Sequence, residues 1–239
     1  MIQLPRLYPI VDAASLPQAA DLVRFAECLC DAGCTVIQYR NKSGNARRML
    51  EQARELRKRF PLESNSHVSQ RRRDAGHPQS HDSLGAPGLA GVARPGNSIR
   101  LIMNDRADLC LAADFDGVHV GQDELSPEAV RKIIGPDRWL GVSTHNPEQL
   151  READLTSADY VAIGPVFATS SKANPDPVVG LEGVRQARQL TRNPLVAIGG
   201  ITRANAASVI EAGADSVAVI SDLLRDPRKS AEEFLRILG

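Results

Sequence analysis

Polar residues of chemically useful types fall at the ends of short apolar runs all along this chain. Gln38-Tyr39-Arg40-Asn41-Lys42, Asn104-Asp105, the stretch from His119 to Glu124, Ser143-Thr144-His145, Gly164 to Lys172, Gly199-Gly200 and Ile220-Ser221 each follow such a run. Three kinds of chemistry are represented. The late pair, Gly199-Gly200 and Ile220-Ser221, suits an anion, because glycine lets the backbone come close to a phosphate. A tight turn is the other use for those glycines. The acids Asp105, Asp123 and Glu124 suit a hard cation: two carboxylates plus waters and a substrate phosphate complete a Mg²⁺ shell. Spacing alone equally allows solvated loop acids. The cations Arg40, Lys42 and Lys172, the last beside Thr169, Ser170 and Ser171, suit a pyrophosphate, with arginine able to hold two oxygens and lysine acting as a point charge. Lys172 as a plain surface lysine remains open at this stage.

No nucleophile lies at a readable spacing from a base. His145 follows Ser143 closely, but the end of a strand does not make them a catalytic pair. His119 alternates with Val118 and Val120, which predicts a hydrogen-bonded histidine turned into the core. Neither a dinucleotide fingerprint nor a Walker loop is present. Cys28-x-Cys30-x3-Cys34 lacks zinc-site spacing, and positions two apart on a helix do not share a face, so these cysteines read as small apolar residues.

The elements that must carry these clusters alternate regularly. Strands are predicted over 7–11, 35–39, 101–103, 117–120, 139–143, 160–163, 195–198 and 216–220. Helical periodicity fills the intervals, from 16–32 through 46–59, 107–113 and 181–190 to a helix opening at Thr202 and a last one after Asp226-Pro227. Ser126-Pro127 and Asn146-Pro147 are cap-plus-proline starts for two more. The strands are continuously apolar, as strands buried on both faces should be. Eight strand-then-helix units predict an α/β fold, a (β/α)8 TIM barrel, over an open doubly wound sheet. In such a barrel all strand C-termini point to one rim, so the polar clusters converge on one mouth. Residues 1–239 read as one barrel domain. Residues 62–98, rich in Ser, Gly, Pro, His and Arg and without an apolar period, read as a low-complexity, disordered-looking insertion between the second helix and third strand.

Composition excludes some partners. Lys plus Arg (29) equals Asp plus Glu (29), so no global field draws the chain to nucleic acid or to membranes. No apolar run reaches the length of a membrane span, and the N-terminus lacks the build of a signal peptide, which predicts a cytoplasmic protein. Oligomeric state is not readable.

Taken in order, the clusters resemble the thiamine phosphate synthase family over the whole barrel except 62–98. The residues that carry the likeness are Gln38-Tyr39-Arg40-Asn41-Lys42, Asn104-Asp105, His119-Val120-Gly121-Gln122 followed by acids, Gly141-Val142-Ser143 with His145, Gly164-Pro165-Val166-Phe167 through Thr169, Ser171 and Lys172, Ile198-Gly199-Gly200-Ile201, and Val219-Ile220-Ser221. The resemblance implies a Mg²⁺-dependent transferase that joins hydroxymethylpyrimidine pyrophosphate to a thiazole phosphate, releasing pyrophosphate through a pyrimidine-methyl cation. It implies Asp105 and Glu124 as metal ligands. Arg40, Lys42, Asn104 and Lys172 would grip the pyrophosphate, with Gln38 fixing its end of the substrate and Ser143 donating to the leaving group. Thr169, Ser171, Gly200, Ile220 and Ser221 would take the thiazole phosphate, and 164–180 would close as a lid. Arg40, Ser143 and Lys172 would be the catalytic set. The family usually has Asp where this chain has Glu124, preceded by Asp123, so either acid could serve as second ligand. Rival readings are a thiazole tautomerase, another phosphate-binding barrel such as a sugar-phosphate epimerase, and a non-catalytic phosphate sensor. The small molecules are the only partners the resemblance implies.

Overall fold

Eight parallel strands close into a barrel in chain order, each neighbour hydrogen-bonded to the next and the last to the first. The structure is a computed structural model, and it describes residues 2–62, 99–169 and 176–239. The strands are β1 (Leu7–Asp12), β2 (Val36–Arg40), β3 (Arg100–Asn104), β4 (Gly117–Val120), β5 (Trp139–Thr144), β6 (Tyr160–Ile163), β7 (Leu195–Ile198) and β8 (Ser216–Val219). The helices are α1 (Ala19–Asp31), α2 (Ala46–Arg59), α3 (Ala107–Ala112), α4 (Pro127–Ile134), α5 (Pro147–Asp154), α6 (Gly180–Leu190), α7 (Ala206–Glu211) and α8 (Pro227–Leu238). The (β/α)8 expectation is met. The segment predicted as an insertion lies, save for Leu62, outside the described residues, in the connection from α2 to β3.

Side chains alternate across each strand, and the two sets form two cores. One set packs outward under the helices, with Leu7, Val11, Leu101, Val118, Val161 and Val217 fully buried there. The other fills the barrel: Tyr8, Ile10, Val36, Ile102, Tyr160, Ala162, Val196 and Ala218. The strands are therefore apolar on both faces.

Helix starts follow the local sequence. Asn45, Ser126, Asn146 and Asp226 each accept a hydrogen bond from the backbone N–H three residues on, at 3.1, 3.3, 2.9 and 3.3 Å. Three of these caps precede a proline in the first turn. One start differs from expectation. Thr202 does not open α7; Asn205 Oδ1 accepts the Thr202 N–H (2.8 Å), which winds 202–205 into a turn and delays the helix to Ala206.

The N-terminal rim carries a device that repeats every second strand. An aspartate just before β4, β6 and β8 (Asp116, Asp159, Asp215) accepts the N–H of Leu101, Leu140 and Leu195 at 2.8, 2.7 and 2.8 Å. The same carboxylates take Arg57 of α2, Arg131 of α4 and Arg188 of α6 at 2.5, 2.7 and 2.8 Å. Each clasp joins an odd strand and the even strand after it to the helix that precedes the pair. This stiffens the rim opposite the mouth.

Candidate active site

The strand C-termini surround a cavity of about 420 Å³. Its floor is apolar and aromatic, with Tyr8, Ile10, Tyr160, Ala162, Val196 and Ala218. Its rim is polar. Gln38, Arg40, Lys42, Asn104, Asp105 and Glu124 line one side; Ser143, Thr169, Gly200, Ile220 and Ser221 line the rest. All the residues expected in the site and lying within the described residues thus meet at one mouth. Ser171 and Lys172 lie outside the described residues, as does 170–175 of the expected lid. A second cavity, about 550 Å³, opens at the opposite rim between Ile2, Leu4, Val36, Arg100 and Trp139. Among the described residues its one charged group is Arg100, 4.6 Å from the centre of the Trp139 ring, and no acid lines it. The chemistry belongs to the first.

Arg40 and Lys42 leave β2 together but answer to different partners. Asp12 stands opposite Arg40 in the β1–β2 register and pairs with it. Asn41, between them, is tied down elsewhere: its side-chain N–H groups donate to Gln52 Oε1 (2.8 Å) and Tyr39 Oη (3.1 Å). With Asn41 held in this buried network, the chain turns Lys42 toward the acids. Lys42 Nζ lies 2.6 Å from Asp105 Oδ2 and 3.2 Å from Glu124 Oε1. The other Glu124 oxygen accepts the Gly121 N–H at 2.9 Å. Asp105 takes a left-handed backbone (φ 64°), which aspartate tolerates and which bends the chain off β3. Its N–H donates to the His119 carbonyl at 2.8 Å, binding the third and fourth strand ends to each other.

The charge balance here is uneven. Four carboxylates (Asp105, Asp123, Glu124, Asp176) line the cavity against Arg40 and Lys42 among the described residues. Burial works against charge on Lys42, but Asp105 and Glu124 outweigh it and raise its pKa. Burial also raises Asp105, helped by Glu124, and Lys42 only partly offsets this. Two carboxylates sharing one ammonium leave surplus negative charge. That fits a small hard cation, and hard oxygen donors are what Mg²⁺ takes. Glu124, not Asp123, is the acid that shares Lys42 with Asp105. Among the described residues no three His, Cys, Asp or Glu side chains stand close enough together to hold one metal ion, so protein ligands to such an ion would be few and the remainder water or substrate oxygens. Asn104 adds a buried side-chain N–H group with no acceptor among the described residues, at the lining of the same cavity. A buried donor of this kind suits a bound oxyanion.

The late loops are locked to one another. Gly199 (φ 102°) and Gly200 (φ 62°) both lie in the left-handed region, and a Cβ on either would strike the preceding loop: 2.5 Å from Pro165 Cβ and 2.5 Å from the Ala168 carbonyl. The two glycines therefore admit a close approach by protein backbone as well as a turn. Across the next gap, Arg203 donates to both carboxylate oxygens of Asp222 (3.0 and 3.2 Å) and also to Glu233. Asp222 follows Ser221 directly, so this pair clamps the loop after β7 to the 3-10 turn Ser221–Leu223. Backbone and hydroxyl groups at Gly200, Ile220 and Ser221 converge beside it.

The floor contains what the sequence reading missed. His119 is buried and turned inward, as its alternation predicts, but it also contacts Ser143: Nε2 to Oγ is 2.8 Å. Its other nitrogen lies 3.1 Å from Tyr160 Oη. Burial pulls its pKa down to about 4, so the imidazole is neutral at ordinary pH. His145 instead donates from Nδ1 to the Gly164 carbonyl at 2.6 Å and has Nε2 3.5 Å from Asp176. Tyr8, Tyr160 and Asp12 carried no motif. The only available signal was their place on the inward face, which requires knowing the strand register.

Fold and mouth together define a (β/α)8 barrel with one polar-rimmed cavity at the C-terminal ends of its strands. Comparison with known proteins narrows this. The family model for thiamine monophosphate synthase matches residues 86–223. The chain is 52% identical over 240 residues to the thiamine-phosphate synthase of Koribacter versatilis, covering 99% of this chain and 97% of that one. It is 39% identical to the thiamine-phosphate synthase of Chloroflexus aurantiacus, over 98% and 92% of the two chains. A thiamine phosphate pyrophosphorylase structure from Pyrococcus furiosus superposes with a TM-score of 0.72 at 30% identity, covering 98% of this chain and 95% of that one. This chain belongs to the thiamine monophosphate synthase family, and thiamine-phosphate synthase is a transferase. No helix among the described residues is long and apolar enough to cross a membrane.

Proposed function

We propose that this protein joins hydroxymethylpyrimidine pyrophosphate to thiazole phosphate, in the cytoplasm, giving thiamine phosphate and pyrophosphate. The observation that carries this reading is the cavity itself. One mouth combines an aromatic and apolar floor, a two-carboxylate corner with Lys42 and Arg40, and a separate glycine-lined phosphate end. A ring with a pyrophosphate and a second ring with a phosphate need that combination.

The reaction is dissociative in this proposal. The bond from the pyrimidine methylene to the pyrophosphate oxygen breaks, and its electron pair leaves on the oxygen. The thiazole nitrogen lone pair then forms the new carbon–nitrogen bond. No protein nucleophile takes part, so the barrier falls by positioning and charge stabilisation. Arg40, Lys42, Asn104 and Lys172 hold the pyrophosphate, and Gln38 fixes the pyrimidine end. Ser143 donates a hydrogen bond to the departing oxygen. Thr169, Ser171, Gly200, Ile220 and Ser221 hold the thiazole phosphate. Asp105 and Glu124 would hold Mg²⁺, which neutralises charge on the leaving pyrophosphate when bound.

The test is product formation by the purified protein with each substrate alone and with both, with and without Mg²⁺. Thiamine phosphate and pyrophosphate in equal amounts, only with both substrates and metal, is the expected result. Binding of thiazole phosphate without any product would replace this reading with a tautomerase or a binding barrel.

A further inference from the structure

We propose that Tyr8 and Tyr160 are positioning residues that set the tautomer of His119, leaving the Ser143 hydroxyl proton free to point into the mouth. The inference rests on the leaving-group role given to Ser143 above. Five side chains from five strands form one run of hydrogen bonds beneath the cavity. Gln38 Nε2 donates to Tyr8 Oη at 3.2 Å. The hydroxyls of Tyr8 and Tyr160 are 2.8 Å apart. Tyr160 Oη is 3.1 Å from His119 Nδ1, and His119 Nε2 is 2.8 Å from Ser143 Oγ.

The run has a direction. An amide nitrogen only donates, so the Tyr8 oxygen accepts at that end. Burial pushes the Tyr8 hydroxyl up to about 12 and that of Tyr160 well above its usual value, so each phenol keeps its single proton. The Tyr8 proton goes to Tyr160, and the Tyr160 proton goes to His119 Nδ1. A neutral imidazole that accepts at Nδ1 carries its proton on Nε2. That proton is donated to Ser143 Oγ. The serine oxygen is then an acceptor from below, and its own proton is not used by the run. The opposite direction consumes the serine proton on His119 and leaves the proton of Tyr8, itself 1% exposed, without an acceptor in the run.

Gly141 makes the arrangement possible. It pairs with His119 in the β4–β5 register, and a Cβ there would lie 2.2 Å from Tyr160 Cζ and 2.4 Å from His119 Nδ1. Only glycine lets the two rings meet. A donor aimed in advance at an oxygen that gains charge stabilises the transition state more than the ground state.

Two measurements test this. Nitrogen-15 NMR of the histidine ring in the wild-type protein should show the Nε2–H tautomer for His119, shifting toward a mixture in Tyr160→Phe. In steady-state assays Tyr160→Phe should lower kcat about ten- to a hundredfold, with the KM for thiazole phosphate unchanged. In a Ser143→Ala background the same substitution should be silent, because the tyrosine acts only through the serine. If Tyr160→Phe does not fold, Tyr8→Phe, one link further, should give the same pattern. An Nδ1–H tautomer in the wild type overturns the proposal, whatever the activity. So does an equal loss of kcat with and without Ser143. A wild-type protein that makes no thiamine phosphate instead sinks the reading of function, and the ring nitrogens still decide the tautomer.

Discussion

Lys42 Nζ lies 2.6 Å from Asp105 Oδ2, on a strand end that neighbours its own around the barrel. Glu124 completes the corner from the next strand. This one ammonium therefore reports where two acids from separate loops converge. Asp105→Ala should remove one of two hard-oxygen donors and lower kcat about a hundredfold or more, with steeper Mg²⁺ dependence. Glu124→Asp, one methylene shorter, should retain activity. Titrating metal against pyrophosphate release checks both, and full activity of Asp105→Ala after trace metal is stripped would sink the two-carboxylate site.

Arg203 holds Asp222, and Asp222 adjoins Ser221. Loosening the clamp should blur the phosphate end without touching the pyrophosphate corner. Arg203→Ala is expected to raise the KM for thiazole phosphate about tenfold, a loss of about 1.4 kcal/mol in binding, and to leave kcat nearly unchanged. The exchanged pair Arg203→Asp with Asp222→Arg should recover part of that loss. A fall in kcat with KM unchanged would contradict the assignment.

The N-terminal clasps predict stability effects with no kinetic ones. Asp116→Ala, Asp159→Ala or Asp215→Ala each strands a backbone N–H and removes the carboxylate partner of an arginine, which keeps only its backbone carbonyl acceptors. Each should lose about 1–3 kcal/mol in urea unfolding. The KM values of the folded variants should match the wild type, since the clasps sit on the rim opposite the cavity. A variant with lost affinity and full stability would show that the two rims are coupled.

His119 predicts a pH dependence of stability. Burial lowers its pKa from 6.5 to about 4 in the folded chain. Between those values the unfolded chain binds the proton and the folded chain does not, so stability rises with pH across that window and levels off above 6.5. Its full extent is on the order of 3 kcal/mol. Denaturant unfolding across the window should show this slope in the wild type and a shallower one in His119→Gln. The same slope in both would assign the effect to other groups.

The sequence by itself determined what local chemistry can determine. Apolar runs at even spacing, with Ser126-Pro127, Asn146-Pro147 and Asp226-Pro227 as helix starts, specify eight units, because caps and periodicity act within a few residues. Asn104-Asp105, Ser143 and Gly199-Gly200 were legible as residues of the mouth because each lies at the end of a strand, and a parallel barrel sends every strand end to one rim. Even Asp116, Asp159 and Asp215 share a visible pattern, Asp-x-Val, although nothing local says what they clasp. The tertiary structure decided which of those residues touch. Tyr8 and Tyr160 are 152 positions apart, and their hydrogen bond depends on both strands facing inward at the same height. Ser143 meets His119 and not the nearer His145, because β4–β5 register places His119 opposite Gly141 and Ser143 two residues further up the same face. Arg40 finds Asp12 for the same reason. Register is set by closing the whole barrel, where moving one strand by a residue would turn every side chain on it to the other face, and no stretch of sequence shorter than the barrel carries that constraint.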